Sequence, residues 1–162
     1  MAADPWLTEF RAMHEHARKG ELSAQDRLVY NSAREQLART LTKIQGLTLR
    51  PGETARQTFR VALALQCEMA LPEGAQKVVT MDVSRGGFSA MMSQIPEVKE
   101  NLGFTLKMPG GANPVTGHAR LVDARKQVGN FRVSWAFMDL AMSEVDRIEF
   151  FLFDSVLTRL GV

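Results

Sequence analysis

The chain has 162 residues with 20 Lys+Arg against 18 Asp+Glu, is 45% hydrophobic and 23% charged, and holds 12 Gly, 6 Pro and one Cys, the make-up of a globular protein with one good core. The lone Cys67 excludes an intramolecular disulfide framework and a Cys-only metal site, and no apolar run approaches the roughly 18 residues of a membrane span. Charge is spread evenly, 7 basic and 6 acidic groups before Arg50 and 13 and 12 from there on, so generic nucleic-acid binding, which needs clustered cations, is not expected.

Residues 5–45 read as helical. Pro5 suits a first helical position, and Lys19-Gly20 supplies a cationic last turn and a glycine stop. Ser23, with Asp26 three residues on, predicts the N-cap of a second helix running to about Gln45-Gly46. Its apolar residues Tyr30, Ala33, Leu37, Leu41 and Ile44 recur every three or four positions and make one narrow stripe. Two covers fit such a stripe: the rest of the same chain, or a partner or second copy, as narrow heptad-like seams allow.

Arg50-Pro51-Gly52-Glu53-Thr54 breaks the pattern, since Pro and Gly disfavour a continued helix and permit a turn or an extended arm. The period then becomes two. Over 59–69, Val61, Leu63, Leu65, Cys67 and Met69 alternate with Arg60, Ala62, Ala64, Gln66 and Glu68, which predicts a half-buried strand. Further strand-like runs follow at 77–84, 87–92, 102–108, 115–123 and 131–137. Between them stand Pro72-Glu73-Gly74, Gly86-Gly87, a 94–101 loop, a Pro/Gly turn at 109–114 and Val128-Gly129-Asn130. Six short strands without intervening helices predict an antiparallel barrel or sandwich. Ser143-Glu144-Val145-Asp146 is a capping signal for a last helix to Leu160-Gly161, with Val145, Ile148, Phe151, Leu152 and Val156 at helical spacing. That helix is expected to lie against the barrel and cover one open end. The organisation expected is an N-terminal helical extension over 1–49, then a mainly β domain with its C-terminal helix over 50–162.

Two constellations flank the first strand. Arg56 and Arg60 stand four residues apart where the Pro-Gly arm becomes a strand; with 14 Arg in the chain, about one such pair arises by chance. The second, Asp82-Val83-Ser84-Arg85-Gly86-Gly87, is more specific: from 7 Asp, 8 Ser and 12 Gly, an Asp-x-Ser-x-x-Gly string is expected about 0.03 times. Guanidinium forks match phosphate oxygens and the O6/N7 edge of guanine, and they stack on purines. Asp82 and Ser84, two apart on a strand, share a face where carboxylate and hydroxyl can bond the polar edge of a base. Gly86 and Gly87 permit a tight turn at positive φ and a close approach of backbone or ligand. Together these residues make a clamp for an anionic nucleotide, although Asp, Ser and Gly also build turns for purely local reasons.

With these motifs the chain resembles the PilZ domain family, bacterial receptor modules for cyclic di-GMP. The family pairs an R-x-x-x-R motif on an arm before the first strand with a (D/N)-x-S-x-x-G motif after the second, on a six-stranded antiparallel barrel with a C-terminal helix. Arg56 and Arg60 match the first motif, and Asp82, Ser84 and Gly87 the second, in the family's order. Gly117-His118-Ala119-Arg120-Leu121-Val122 and Val133-Ser134-Trp135-Ala136-Phe137 are similar to its fifth and sixth strands. The resemblance covers about residues 50–160; residues 1–49 match no family feature and are too short for the extra barrel of flagellar-brake relatives. It implies that Arg56 and Arg60 hold phosphates and guanine edges, that Asp82 and Ser84 bond a guanine, and that Gly87 keeps the turn tight, with Arg50 and Gly86 as additional contacts. Ala55 stands where a further basic residue accompanies a stacked ligand dimer in the family, which favours one ligand per site.

No other constellation competes. His14 and His16 are two apart on a helix and face opposite sides, which is poor metal-ligand geometry. His118 has no nucleophile-elbow sequence to serve. Cys67, Phe131, Trp135 and Phe137 read as core side chains, and the nine Met as adaptable fillers. The expectation is a non-enzymatic effector of cyclic di-GMP with no cofactor and no metal, meeting a protein partner or a second copy through its N-terminal helices. The alternative is a ligand-independent interaction adaptor on the same scaffold. Met1-Ala2-Ala3-Asp4-Pro5-Trp6 lacks the basic and apolar regions of a secretory signal, so the expected location is the cytoplasm, without membrane insertion.

Overall fold

The computed structural model describes residues 4–47, 58–97 and 101–162. Helix α1 (Pro5–Arg18) is capped by Asp4, whose side chain accepts from the Trp6 backbone N–H at 2.8 Å, and Pro5 sits in its first turn, where a missing N–H costs nothing. Helix α2 (Ala24–Gly46) is capped by Ser23, which accepts from Asp26 N–H at 3.1 Å. Strands β1 (Gln66–Leu71), β2 (Gly74–Ser84), β3 (Gly87–Met92), β4 (Leu102–Leu106), β5 (Val115–Gln127) and β6 (Asn130–Met138) follow, and helix α3 (Met142–Leu160) comes last. The chain divides into two compact units, a helical one of Met1–Phe59 with Phe153–Val162, and a barrel of Arg60–Leu152. The expected boundary at 49/50 lies outside the described residues. Unlike the expectation, the second half of α3 groups with α1 and α2.

The six strands close a barrel in the order β1-β2-β3-β6-β5-β4, every neighbour antiparallel. Closure gives every strand a neighbour on both sides. The barrel fills with apolar side chains such as Met69, Val83, Leu106, Val133 and Trp135, all fully or almost fully buried. Burying each such side chain is worth about 1.5–3 kcal/mol.

The first strand departs from its expected span. Val61, Leu65, Cys67 and Met69 are buried, and Ala62, Ala64, Gln66 and Glu68 exposed, as the alternation requires; regular pairing nevertheless starts only at Gln66. Ahead of it, Val61 and Val83 exchange backbone bonds of 2.9 Å, and Leu63 N–H reaches Met81 O at 3.2 Å. Between those bonds and the regular ladder the Thr80 hydroxyl takes a backbone place, accepting from Leu65 N–H at 2.8 Å and donating to Leu63 O at 2.6 Å. A hydroxyl inserted in a ladder breaks its repeat, and the β2 register shifts at the same point, between Thr80 and Asp82. Such irregularities re-aim the side chains beyond them.

Helix α3 starts at Met142, so Ser143 lies in its first turn rather than at the cap; Ala141 O accepts from Glu144 and Val145 N–H. In the barrel unit, Glu149 pairs with Arg85 of the β2–β3 turn at 3.1 Å, and Arg147 donates to Asn113 O in the β4–β5 connection. Both partners mark the barrel end at which β2, β4 and β6 finish, so this half of α3 lies at one end, as expected.

The helical unit has its own aromatic core. Phe10 stacks on Trp6 and Tyr30 at 5.7 and 5.6 Å and meets Phe153 edge-on at 5.9 Å. His14, fully buried, bonds Tyr30 Oη at 2.7 Å and Asp154 Oδ1 at 2.8 Å. The α2 stripe is therefore covered within this unit at Tyr30; Leu37 is buried as well, while Ile44 keeps 54% of its surface exposed.

Candidate ligand site on the outer barrel face

The Asp-x-Ser-x-x-Gly string occupies the end of β2, the turn and the first residue of β3. Val83 pairs with Phe88, and Phe88 with Trp135, in the buried interior set. Alternation then puts Asp82 and Ser84 on the outer face, where Asp82 stands opposite Ser89 of β3. These outward residues are nonetheless buried, Asp82 to 8% exposure and Ser89 completely.

Two guanidiniums flank the Asp82 carboxylate. Arg60 Nη1 lies 3.6 Å from Oδ1, and Arg132 Nη2 bonds Oδ2 and also reaches Ser89 Oγ at 3.3 Å. Asp82 Oδ1 is buried and accepts no hydrogen bond among the described residues. A buried carboxylate oxygen in that state costs about 1–3 kcal/mol or more, so the position is one that a donor would relieve. With two cations around one anion, the spot also carries net positive charge that suits a phosphate.

The rest of the motif is used partly for the turn itself. Ser84 Oγ accepts from Gly86 N–H at 3.2 Å and donates to Gly87 O at 3.4 Å, a local serine turn. Neither Gly86 nor Gly87 has positive φ, contrary to expectation. The expected close approach is present instead: a Cβ on Gly87 would fall 1.9 Å from Trp135 O. Arg85, in the middle of the motif, turns toward Glu149 and the Met142 sulfur of α3.

The structure thus brings together Arg60, Asp82, Ser84, Gly86 and Gly87; Arg50, Ala55 and Arg56 lie outside the described residues. Sequence reasoning missed Arg132 and Ser89. Their signal was the outward half of the strand alternations, Arg132 and Ser134 against Val133 and Trp135, but nothing in chain order says that β6 docks beside β3. A separate shallow groove, lined by Glu68, Thr105, Thr116 and His118 and floored by Gly103 and Gly117, lies on the outer face of β1, β4 and β5 and contains no motif residue. No cluster of three metal-ligating side chains occurs among the described residues. Among them, no helix is long and apolar enough to cross a membrane.

A family model described as the PilZ domain matches residues 54–154. No curated protein sequence matches the chain. Among solved structures, the inhibitor of motility MotI/DgrA of Bacillus subtilis is 12% identical with a TM-score of 0.57, over 65% of this chain and 53% of its own. YcgR of Escherichia coli in complex with c-di-GMP is 18% identical with a TM-score of 0.53, over 61% of this chain and 45% of its own. The PilZ domain of YcgR with c-di-GMP is 16% identical with a TM-score of 0.53, over 67% and 95%. The chain spans about half the length of the first two, and at these identities the likeness is one of fold. The family match takes in both arginines, the Asp-Ser-Gly string, all six strands and the first half of α3: the chain belongs to the PilZ domain family.

Proposed function

We propose that the protein is a non-enzymatic cyclic di-GMP effector that binds its ligand on the outer face of β2 and β3. The observation that carries this reading is the buried, unsatisfied Asp82 Oδ1 beside Arg60 on the motif face. The family membership supports it, as do the bound ligands that the YcgR structures name. Arg56 and Arg60 hold phosphates and guanine edges, Asp82 and Ser84 bond a guanine, and Gly87 holds β3 against β6, with Arg50 and Gly86 as further contacts. No cofactor or metal enters the proposal, and its setting is the cytoplasm.

Binding changes the partner interactions of the N-terminal helices, a population shift between two arrangements rather than a chemical step. Leu28, Val29 and Ile44 of α2, each at least half exposed, are the side chains offered to a protein partner or a second copy. The same residues favour the second reading, a ligand-independent adaptor. Calorimetric titration with cyclic di-GMP separates the two. The effector reading expects micromolar or tighter binding in the wild type and a loss of about 2–5 kcal/mol in Arg60→Ala, the cost of removing one charge-assisted partner. No heat and no thermal shift at high micromolar ligand favours the adaptor, and binding that Arg60→Ala leaves unchanged removes Arg60 from the site.

A further inference from the structure

We infer that Arg132, which lies in no sequence motif, is a positioning residue of this site: it fastens Asp82 by Oδ2 and so leaves Oδ1 as the single acceptor offered to a guanine edge. The inference rests on the reading of the site as a guanine-nucleotide site and adds a residue and a specificity rule to it.

A carboxylate has two equivalent oxygens and a soft terminal torsion, so an unanchored Asp82 would offer either oxygen or both. Here the choice is made by β6. Arg132 Nη2 bonds Asp82 Oδ2 and reaches Ser89 Oγ at 3.3 Å, and Ser89 is fully buried on β3 directly opposite Asp82. One nitrogen of the planar guanidinium thus bridges side chains of two other strands. Arg60 Nη1, at 3.6 Å from Oδ1, stands outside hydrogen-bond reach, and Oδ1 accepts nothing among the described residues.

Guanine presents two adjacent donors, the ring N1–H and the 2-amino group, on one edge. A free carboxylate, turning about its soft torsion, holds neither oxygen in place to meet them. An Asp82 held at Oδ2 meets both with the two lone pairs of Oδ1. Adenine offers a ring acceptor in place of the N1–H, and that acceptor would repel a carboxylate, so the anchored oxygen selects guanine. Arg132 also keeps the cluster net positive, which favours the anionic ligand over an unpaired aspartate.

The test is calorimetry on the full chain with two probes, cyclic di-GMP and its inosine analogue, which lacks only the 2-amino groups. The proteins are wild type, Arg132→Gln, Arg132→Lys and Ser89→Ala, each checked for a cooperative thermal transition. Wild type is expected to bind the inosine analogue about tenfold more weakly, the worth of one hydrogen bond to a charged acceptor. Arg132→Gln and Arg132→Lys should lower cyclic di-GMP affinity by about tenfold and bring the two probes to within about twofold, since a lysine keeps the charge but not the planar, rigidly oriented donor that reaches both Asp82 and Ser89. Ser89→Ala should move both quantities the same way by less, and it carries the test together with Arg132→Lys where Arg132→Gln fails to fold.

Variants that keep wild-type affinity and discrimination overturn the inference and leave the binding site standing. Equal weakening for both probes, with discrimination intact, also overturns it, because that is what a merely structural arginine would do. A wild type that binds neither probe overturns the binding reading and the inference with it.

Discussion

An added Cβ at Gly87 would stand 1.9 Å from Trp135 O and 3.0 Å from Ala136 Cα, both parts of a neighbouring backbone that cannot swing aside. Any side chain there must push β3 away from β6, the two strands that carry Ser89 and Arg132. Gly87→Ala is therefore expected to lose about 3 kcal/mol or more of stability in chemical denaturation, and ligand affinity with it; an unchanged midpoint would show that the strands separate at no cost. The requirement for glycine was legible in the sequence, but its cause was not: the turn needs no positive φ, while the strand approach does need a missing Cβ. Cys67 is the opposite case. Its place in the period-two alternation already marked it as core, and burial, with a smaller contribution from Glu68 against a backbone bond from Thr105, pushes its thiol up to about 12, so it stays protonated and inert.

Two acidic side chains of helix α3 reach partners far away in sequence, Glu149 toward Arg85 of the barrel and Asp154 toward His14 and Arg18 of the helical unit. At Asp154, burial raises the pKa, but the His14 hydrogen bond and the charges of His14 and Arg18 outweigh it, and the net shift is downward from 3.8. A carboxyl lowered on folding contributes stability above its unfolded pKa and loses that contribution as pH falls through the folded one. The helical unit should therefore weaken below about pH 4. Asp154→Asn should cost about 1–2 kcal/mol at pH 7 and flatten that acid limb, as thermal melts followed by far-ultraviolet circular dichroism at stepped pH would record; an acid limb identical to that of the wild type would rule Asp154 out as its source. The helix itself was readable from its apolar spacing to within a residue at its start. Its two acidic pairings were not, since both partners are far away in sequence, and Arg85 sits inside a motif that suggested a ligand rather than a helix.

At the scale of the whole chain, six strands and three helices follow from runs of period two and period 3.6 punctuated by Gly and Pro, and the family motifs supplied their closure into one barrel. What chain order withholds is neighbourhood. Pairings of β3 with β6 and of β1 with β4 skip strands, and it is the first of these that sets Arg132 beside Asp82. The Thr80 hydroxyl, which shortens β1, was hidden for the same reason: a threonine in a strand gives no sign that it will take a ladder position. The unit boundaries were obscured too, because the helical unit draws on both ends of the sequence. It takes in Met1–Phe59 and Phe153–Val162, so in chain order the barrel is nested inside it, a guest whose host closes only after the guest has been made. Trimming the chain to residues 58–162 is consequently not the removal of an appendage. It takes Phe10 from Phe153 and takes His14 and Arg18 from Asp154, and the expected result is loss of hydrogen-exchange protection over 153–160 with the barrel strands still protected. Full protection there would mean that the second half of α3 holds without α1 and α2; its loss would mean that the chain's two distant ends fold as one piece.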